Sequence, residues 1–364
     1  MKIRPRLALL NPALQRPSAL NSVPRNENQL WLDKNENLDP QMMALSRNIL
    51  ASIPALALAS YPEAGELYRK LATWVAVLPE SLLLTPGSDG AIRLAFEAFV
   101  EAGDWVILTS PTFAMYPVYG QMFGANVHEV LYEQTERGPS LDASAVIESL
   151  HRLKPKLVCL PNPDSPTGTV LAPSVLREIL AECEVVGSVL LLDEAYYPFY
   201  AWSAVPWTAT SENLIVARTF AKAWGAAGMR IGYAVGHPAT ISLLHKMRPM
   251  YEVSTLAVEF MSRMLDKSAE MTEAVARIQA GKVFFVEAMR SLGFGVLPTE
   301  GNFVHVAFGN TAPEVHAHLM GRVLYRATFS QPCLAGYSRF SVAPRPIMSK
   351  VVDLITYAIE KLNK

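Results

Sequence analysis

From about residue 61 the chain alternates short, uniformly apolar runs with stretches of helical spacing. Residues 67–77 carry apolar side chains at intervals of three and four, the period of a helix with one buried face. Residues 81–85 form a brief apolar run, closed by Pro86-Gly87-Ser88-Asp89-Gly90 and followed by a helical stretch at 91–100. The alternation then repeats. Strands are expected at 105–109, 157–160, 189–192 and 214–217, with helical stretches at 117–123 and 173–183, where Pro173 suits a first helical turn. Strands that are apolar at every position and separated by helices predict an α/β protein with a mostly parallel sheet covered on both faces.

The last third changes texture. Long helical stretches at 257–265 and 271–292 lead to short alternating strands at 302–307 and 338–342, then a final helix at 347–362. This predicts a smaller α+β unit. The expected division is an N-terminal arm at 1–30, a small domain from 31–55 with 256–364, and a large domain at 56–255. Pro5, Pro12, Pro17 and Pro24 are too closely spaced for a long helix in the arm.

Composition narrows the function. The 364 residues are 51% hydrophobic and 18% charged, which excludes global disorder. With 32 Lys+Arg against 33 Asp+Glu there is no basic excess to grip a phosphate backbone, so nucleic acid is not an expected partner. The apolar runs fall short of the roughly 20 residues a membrane helix needs. Arg4, Pro5 and Arg6 interrupt the start where a signal peptide would be apolar. Cys159, Cys183 and Cys333 lack metal-site or disulfide-framework spacing, and no metal is expected. A cytoplasmic location follows as an expectation.

Ligands in open α/β sheets bind beyond the carboxyl ends of the strands. The residues that stop each apolar run are therefore the candidate chemistry. They are the Gly/Ser turn at 86–90, Pro161-Asn162-Pro163-Asp164-Ser165-Pro166-Thr167-Gly168, Asp193-Glu194-Ala195-Tyr196, and Arg218-Thr219-Phe220-Ala221-Lys222. Ser88 and Asp89 open a helix after a glycine turn, where free backbone N–H groups and the dipole favour an anion. A nicotinamide site would need a GxGxxG turn early in a βαβ unit. Gly225, Gly228 and Gly232 have the wrong spacing and come late.

These pieces resemble the fold-type I, pyridoxal-phosphate-dependent aminotransferases, and most of all the histidinol-phosphate aminotransferase branch. The resemblance rests on Asp33-Lys34-Asn35-Glu36-Asn37, Tyr61-Pro62-Glu63, Gly87-Ser88-Asp89-Gly90-Ala91-Ile92, Pro111-Thr112-Phe113-Ala114-Met115-Tyr116, Asp193-Glu194-Ala195-Tyr196 and the run from Arg218 to Tyr233. Arg248-Pro249-Met250-Tyr251, Asn302-Phe303, Arg326 and Arg339 continue it. It implies a seven-stranded, mostly parallel sheet, pyridoxal 5'-phosphate as cofactor, and a homodimer with shared active sites.

The resemblance also implies roles. Lys222 would hold the cofactor covalently and shuttle the substrate proton, and Asp193 would keep the pyridine nitrogen protonated. Tyr196 would bond the phenolic oxygen, and Tyr116 would stack on the ring. Arg230, eight residues after Lys222, would bind the phosphate with Ser88, Asp89 and Thr219. Tyr61 would reach the partner's cofactor phosphate. Arg339 would grip a substrate carboxylate and Arg326, 13 residues before it, a distal anion, with Asn35 and Asn37 on the substrate side. The expected reaction is ping-pong amino transfer from glutamate to a phosphorylated or anionic carbonyl compound, with histidinol phosphate and imidazole-acetol phosphate the leading pair and a transaminase of another pathway as an alternative. Decarboxylation of a phosphorylated hydroxy-amino acid uses the same residues and stays open at this stage.

Three positions depart from the family pattern. Ser165 stands where an asparagine usually precedes Pro-Thr-Gly, with Asn162 as a possible substitute. Ala221 replaces the serine before the lysine, which leaves Thr219 to supply the phosphate hydrogen bond. Glu252 follows Tyr251 where relatives carry a small polar residue, and would repel an anionic substrate if it faced one. The aromatic Pro-Tyr segment of histidinol-making relatives is not found in residues 7–28.

Overall fold

The computed structural model describes residue 26 and residues 28–362. Most of the expected N-terminal arm therefore lies outside the described residues. Strand β1 (Leu30–Trp31) is followed by helices α1 (Pro40–Ser52) and α2 (Gly65–Val75). The alternation then runs β2 (Leu82–Thr85), α3 (Gly87–Phe99), β3 (Trp105–Ser110), α4 (Met115–Phe123), β4 (Asn126–Thr135), β5 (Gly138–Leu141) and α5 (Ala143–Leu153). It continues with β6 (Leu157–Pro161), α6 (Pro173–Val186), β7 (Val189–Asp193), β8 (Leu214–Thr219) and β9 (Gly232–Gly236).

Strands β2 to β9 form one sheet in the order β2-β9-β8-β7-β6-β3-β4-β5. Strands β8, β7, β6, β3 and β4 are parallel, while β9 runs antiparallel to both β8 and β2. The seven strands expected are thus eight: β5 folds back antiparallel on the end of β4, with Thr135 paired to Gly138. A turn made of Glu136 and Arg137 breaks no apolar pattern, so this hairpin leaves little trace in the sequence.

Alternation along each strand divides the core. Leu190 and Leu192 of β7 face one layer with Val146 of α5 and Ile179 of α6. Leu191 faces the other, with Ile92 and Phe96 of α3 and Tyr119 of α4. All are fully or nearly fully buried, so the sheet is dry on both sides. At about 1.5–3 kcal/mol per buried large apolar side chain, this sandwich supplies the main favourable term of the fold.

The remaining elements are α7 (Pro238–Met247), α8 (Thr255–Leu265), α9 (Ser268–Ser291), β10 (Gly295–Val296), β11 (Phe303–Ala307), α10 (Ala312–Leu319), β12 (Val323–Leu324), β13 (Tyr337–Ser341) and α11 (Arg345–Leu362). Strands β10, β11 and β13 make an antiparallel sheet; α9 packs against β10 and β11, and α11 packs against α9 and α10. Strand β1 pairs in parallel with β12. The segment between β1 and α1 is anchored at Asp39. Its carboxylate caps α1 through the Met42 N–H (2.9 Å) and takes two hydrogen bonds from Arg277 of α9, at 2.7 and 2.9 Å. The three cysteines are buried and free. Among the described residues no helix is long and apolar enough to cross a membrane, and no cluster of side chains suits a metal ion.

Candidate active site

The parallel strands stop together, and their ends open on one cavity of about 800 Å³. Ser110 closes β3, Pro161 closes β6, Asp193 closes β7 and Thr219 closes β8, and all four line it. Asn35, Ser88, Asp89, Ser165, Tyr196, Lys222, Arg230, Arg326 and Arg339 line it too. One wall therefore comes from the large sheet and the other from the 33–35 segment and from the neighbourhood of β13.

An anion cradle forms at the start of α3. Its N-cap is Pro86, with no side-chain cap, so the first-turn N–H groups stay open. Gly87 has φ +74°, and a Cβ there would meet the Arg230 Nη2 at 3.0 Å. Arg230 itself holds φ +50°, rare for a side-chain-bearing residue. Gly232 completes the fit. A Cβ on it would lie 2.5 Å from the backbone of both Arg218 and Gly87, so β9 passes against the helix start with no room to spare. Asp89 accepts a hydrogen bond from the Tyr119 hydroxyl at 3.0 Å. The Thr219 hydroxyl accepts from the Ala221 N–H at 3.1 Å.

At the centre, Asp193 is buried, its Oδ1 taking the Ala195 N–H (3.0 Å) and its Oδ2 the Tyr116 hydroxyl (3.3 Å). Burial is the largest cause of a pKa raised to about 7. A cation placed against this carboxylate would keep it charged. Lys222 donates from Nζ to the Lys34 carbonyl at 2.6 Å. Burial, then the Arg339 charge, pulls its pKa down to about 8; Glu36 and Asp193 oppose this, and Arg230 adds a smaller downward pull. The amine is thus partly free near neutrality, as a nucleophile toward an aldehyde requires. Tyr196 takes the Asn35 Nδ2 at 2.8 Å and lies beside Ser165.

Across the cavity, Arg326 and Arg339 exchange both backbone hydrogen bonds, at 3.0 and 2.8 Å. Arg339 donates from Nη2 to the Asp33 carbonyl (2.9 Å) and lies over the Phe303 ring, while Arg326 lies over Phe329. A buried carboxylate, a lowered-pKa lysine, an anion cradle and two arginines fit the donors that pyridoxal phosphate requires.

The comparisons with known proteins agree. Residues 27–353 match the model of the family described as aminotransferase class I and II. The chain belongs to this family. A histidinol-phosphate aminotransferase from Caldanaerobacter subterraneus is 33% identical over 302 residues, covering 82% of this chain and 84% of that protein. A provisionally named histidinol-phosphate aminotransferase from Erwinia carotovora atroseptica superposes with TM-score 0.82 at 26% identity, over 93% of this chain and 99% of that one. The Sinorhizobium meliloti histidinol-phosphate aminotransferase, solved in complex with pyridoxal 5'-phosphate, gives 0.77 at 24% identity, over 92% and 91% of the two chains. The protein is a pyridoxal-phosphate-dependent aminotransferase of fold type I.

Several sequence expectations change in the structure of this aminotransferase. Tyr116 does not line the cavity. It falls in the first turn of α4, buried in the layer beneath, and Phe113 in the preceding loop lines the cavity instead, edge-on to Tyr116 with ring centres 6.2 Å apart. Asn37 is also turned away: its Nδ2 donates to the Ala223 carbonyl (2.8 Å) and its Oδ1 accepts from the Asp39 N–H (2.9 Å). Asn162 does not line the cavity; its Oδ1 accepts the Leu171 N–H at 2.8 Å, and its Nδ2 is buried without a hydrogen-bond partner. Tyr61 is exposed, stacked on Tyr251 with ring centres 4.3 Å apart, and away from the cavity of its own chain. Glu252 does not line the cavity, and one of its oxygens is buried without a hydrogen-bond partner. Gln121, Glu129 and Gln331 line the cavity and were not anticipated, because each comes from an amphipathic or irregular stretch with no motif around it.

Proposed function

We propose that this aminotransferase moves the amino group of glutamate to imidazole-acetol phosphate, making histidinol phosphate. The observation that carries this reading is the pair of backbone-bridged arginines, Arg326 and Arg339, on the wall across from Lys222 and Asp193. Two adjacent guanidinium groups suit the two carboxylates of glutamate, and in the second half-reaction the same pair offers its positive charge to the single phosphate of a phosphorylated amine. The names of the most similar relatives support the same choice.

Bound pyridoxal phosphate would supply the electron sink that makes a substrate Cα–H bond labile. Lys222 would hold the cofactor covalently, and its free amine would move the proton at the substrate Cα. Asp193 holds the proton on the pyridine nitrogen, with the Tyr116 hydroxyl fixing that carboxylate from behind. Tyr196, steadied by Asn35 and Ser165, bonds the phenolic oxygen. Phe113 supplies the aromatic face. Arg230, the hydroxyls of Ser88 and Thr219, and the open amides of α3, that of Asp89 among them, would hold the phosphate. Arg339 takes the α-carboxylate and Arg326 the distal anion.

We assign a homodimer in the cytoplasm, in which Tyr61 and its stacked neighbour Tyr251 face the partner subunit. Leu56, Leu58 and Met250, all more than 70% exposed, belong to this surface. Residues 31–55 with 256–364 are taken as the smaller unit and 56–255 as the larger.

The reading is tested by steady-state turnover of L-histidinol phosphate with 2-oxoglutarate. It requires equimolar glutamate and a carbonyl product, both abolished by Lys222→Ala. Consumption of histidinol phosphate without equimolar glutamate, or turnover that survives Lys222→Ala, would refute it.

A further inference from the structure

His305 stands at the middle of β11, directly opposite Arg339 in the ladder with β13. Opposed residues of antiparallel strands project to one face, and Arg326 faces Arg339 in turn across the next bridge. One histidine and two arginines thus share a face, yet only the arginines line the cavity. The Arg326 guanidinium lies 4.2 Å from the centre of the Phe329 ring, and that of Arg339 lies 5.4 Å from the centre of Phe303. The imidazole of His305 sits 5.5 Å from each of these same two rings.

His305 is completely buried, and neither ring nitrogen has a partner at hydrogen-bond geometry, although the Pro166 carbonyl lies on its side. Burial, then the charges of Arg339 and Arg326, push its pKa down to about 3. The ring is neutral across the working pH range, which adds no third positive charge behind the arginines.

We propose that His305 is a positioning residue for the substrate-side arginines: an uncharged ring wedged between Phe303 and Phe329 that fixes the spacing of the Arg326 and Arg339 guanidinium groups. Each arginine rests on one of the two aromatic faces, so removing the wedge lets both platforms move. The spacing sets the distance between the two anions that a substrate must present. Discrimination between two-anion and one-anion donors therefore depends on a residue that touches neither. The inference rests on the reading of Arg339 and Arg326 as carboxylate and distal-anion sites.

The test uses holoenzyme and two amino donors, L-glutamate with two carboxylates and L-alanine with one, titrated in the first half-reaction. His305→Ala should weaken the apparent affinity for glutamate, which needs both arginines in register, tenfold or more, and that for alanine, which needs Arg339 alone, at least threefold less than that for glutamate, with the limiting rates for both donors staying within threefold. His305→Phe, which keeps an uncharged ring, should restore glutamate to within threefold of the wild type. If His305→Ala does not yield folded holoenzyme, His305→Leu replaces it with the same split expected. Equal weakening for both donors, unchanged glutamate affinity, or failure of His305→Phe to rescue would overturn the proposal. A wild-type enzyme indifferent to the second carboxylate would refute the reading of Arg326 itself, and the proposal with it.

Discussion

Arg339→Lys separates charge from geometry at the proposed carboxylate site. Arg339 already donates from one terminal nitrogen to the Asp33 carbonyl at 2.9 Å, and its plane rests over Phe303, so the guanidinium is held before substrate arrives. Lysine keeps the positive charge but loses the fork that takes both carboxylate oxygens, and with it the contact to Asp33. At least one charge-assisted hydrogen bond disappears, a loss of about 1.5–3 kcal/mol. At 1.4 kcal/mol per factor of ten, that weakens donor binding by about 10- to 150-fold. The assay is a titration of holoenzyme with L-glutamate and L-alanine, followed through the visible band of the lysine-bound cofactor. Both donors carry the α-carboxylate, so both should weaken by similar factors. Arg326→Lys should weaken glutamate alone. A change below threefold for Arg339→Lys, or a loss confined to glutamate, would refute the assignment of the two arginines.

Four further outcomes follow from the geometry. Tyr196→Phe leaves the buried Asn35 Nδ2 without its acceptor, so the folded protein should lose about 1–3 kcal/mol in denaturant unfolding, and the cofactor band should shift. Gly232→Ala forces a methyl group to within 2.5 Å of the backbone of β8 at Arg218 and of α3 at Gly87, and should reduce the cofactor retained on dialysis by disturbing the start of α3. The Lys222 amine, with its pKa lowered to about 8, should capture added pyridoxal phosphate in the apo-protein at a rate that rises with pH and levels off above about 8; a rate still climbing at pH 10 would contradict that value. Glu252 has a carboxyl raised from 4.5 to about 7, chiefly by burial, so the folded state holds its proton more tightly than the unfolded chain. Its ionisation destabilises the fold as pH rises through this window, and Glu252→Gln should raise Tm more at pH 8 than at pH 5.

Much of the site was legible because parallel strands end abruptly. Among the polar residues that stop β6, β7 and β8, Ser165, Asp193, Tyr196, Thr219 and Lys222 reach the cavity, whereas Asn162, Asp164, Glu194 and Arg218 do not. Where a motif lies on a helix start, the register decides, and spacing alone does not supply it. Tyr116 and Phe113 belong to one motif, but α4 begins at Met115 and turns Tyr116 into the core. Asn35 and Asn37 differ for a similar reason. Asn35 takes φ +55° and aims its amide at Tyr196, whereas Asn37 is drawn to the Ala223 carbonyl and the start of α1. His305 carries no local signal. Its meaning comes from pairing with β13, a contact between residues far apart in the chain.

The most direct test of the account is a single-turnover absorbance experiment with purified holo-protein and L-histidinol phosphate. The account predicts complete conversion of the lysine-bound cofactor band to the pyridoxamine form, reversed by 2-oxoglutarate. A band that L-glutamate converts but histidinol phosphate leaves unchanged would contradict the proposed substrate while leaving the aminotransferase in place.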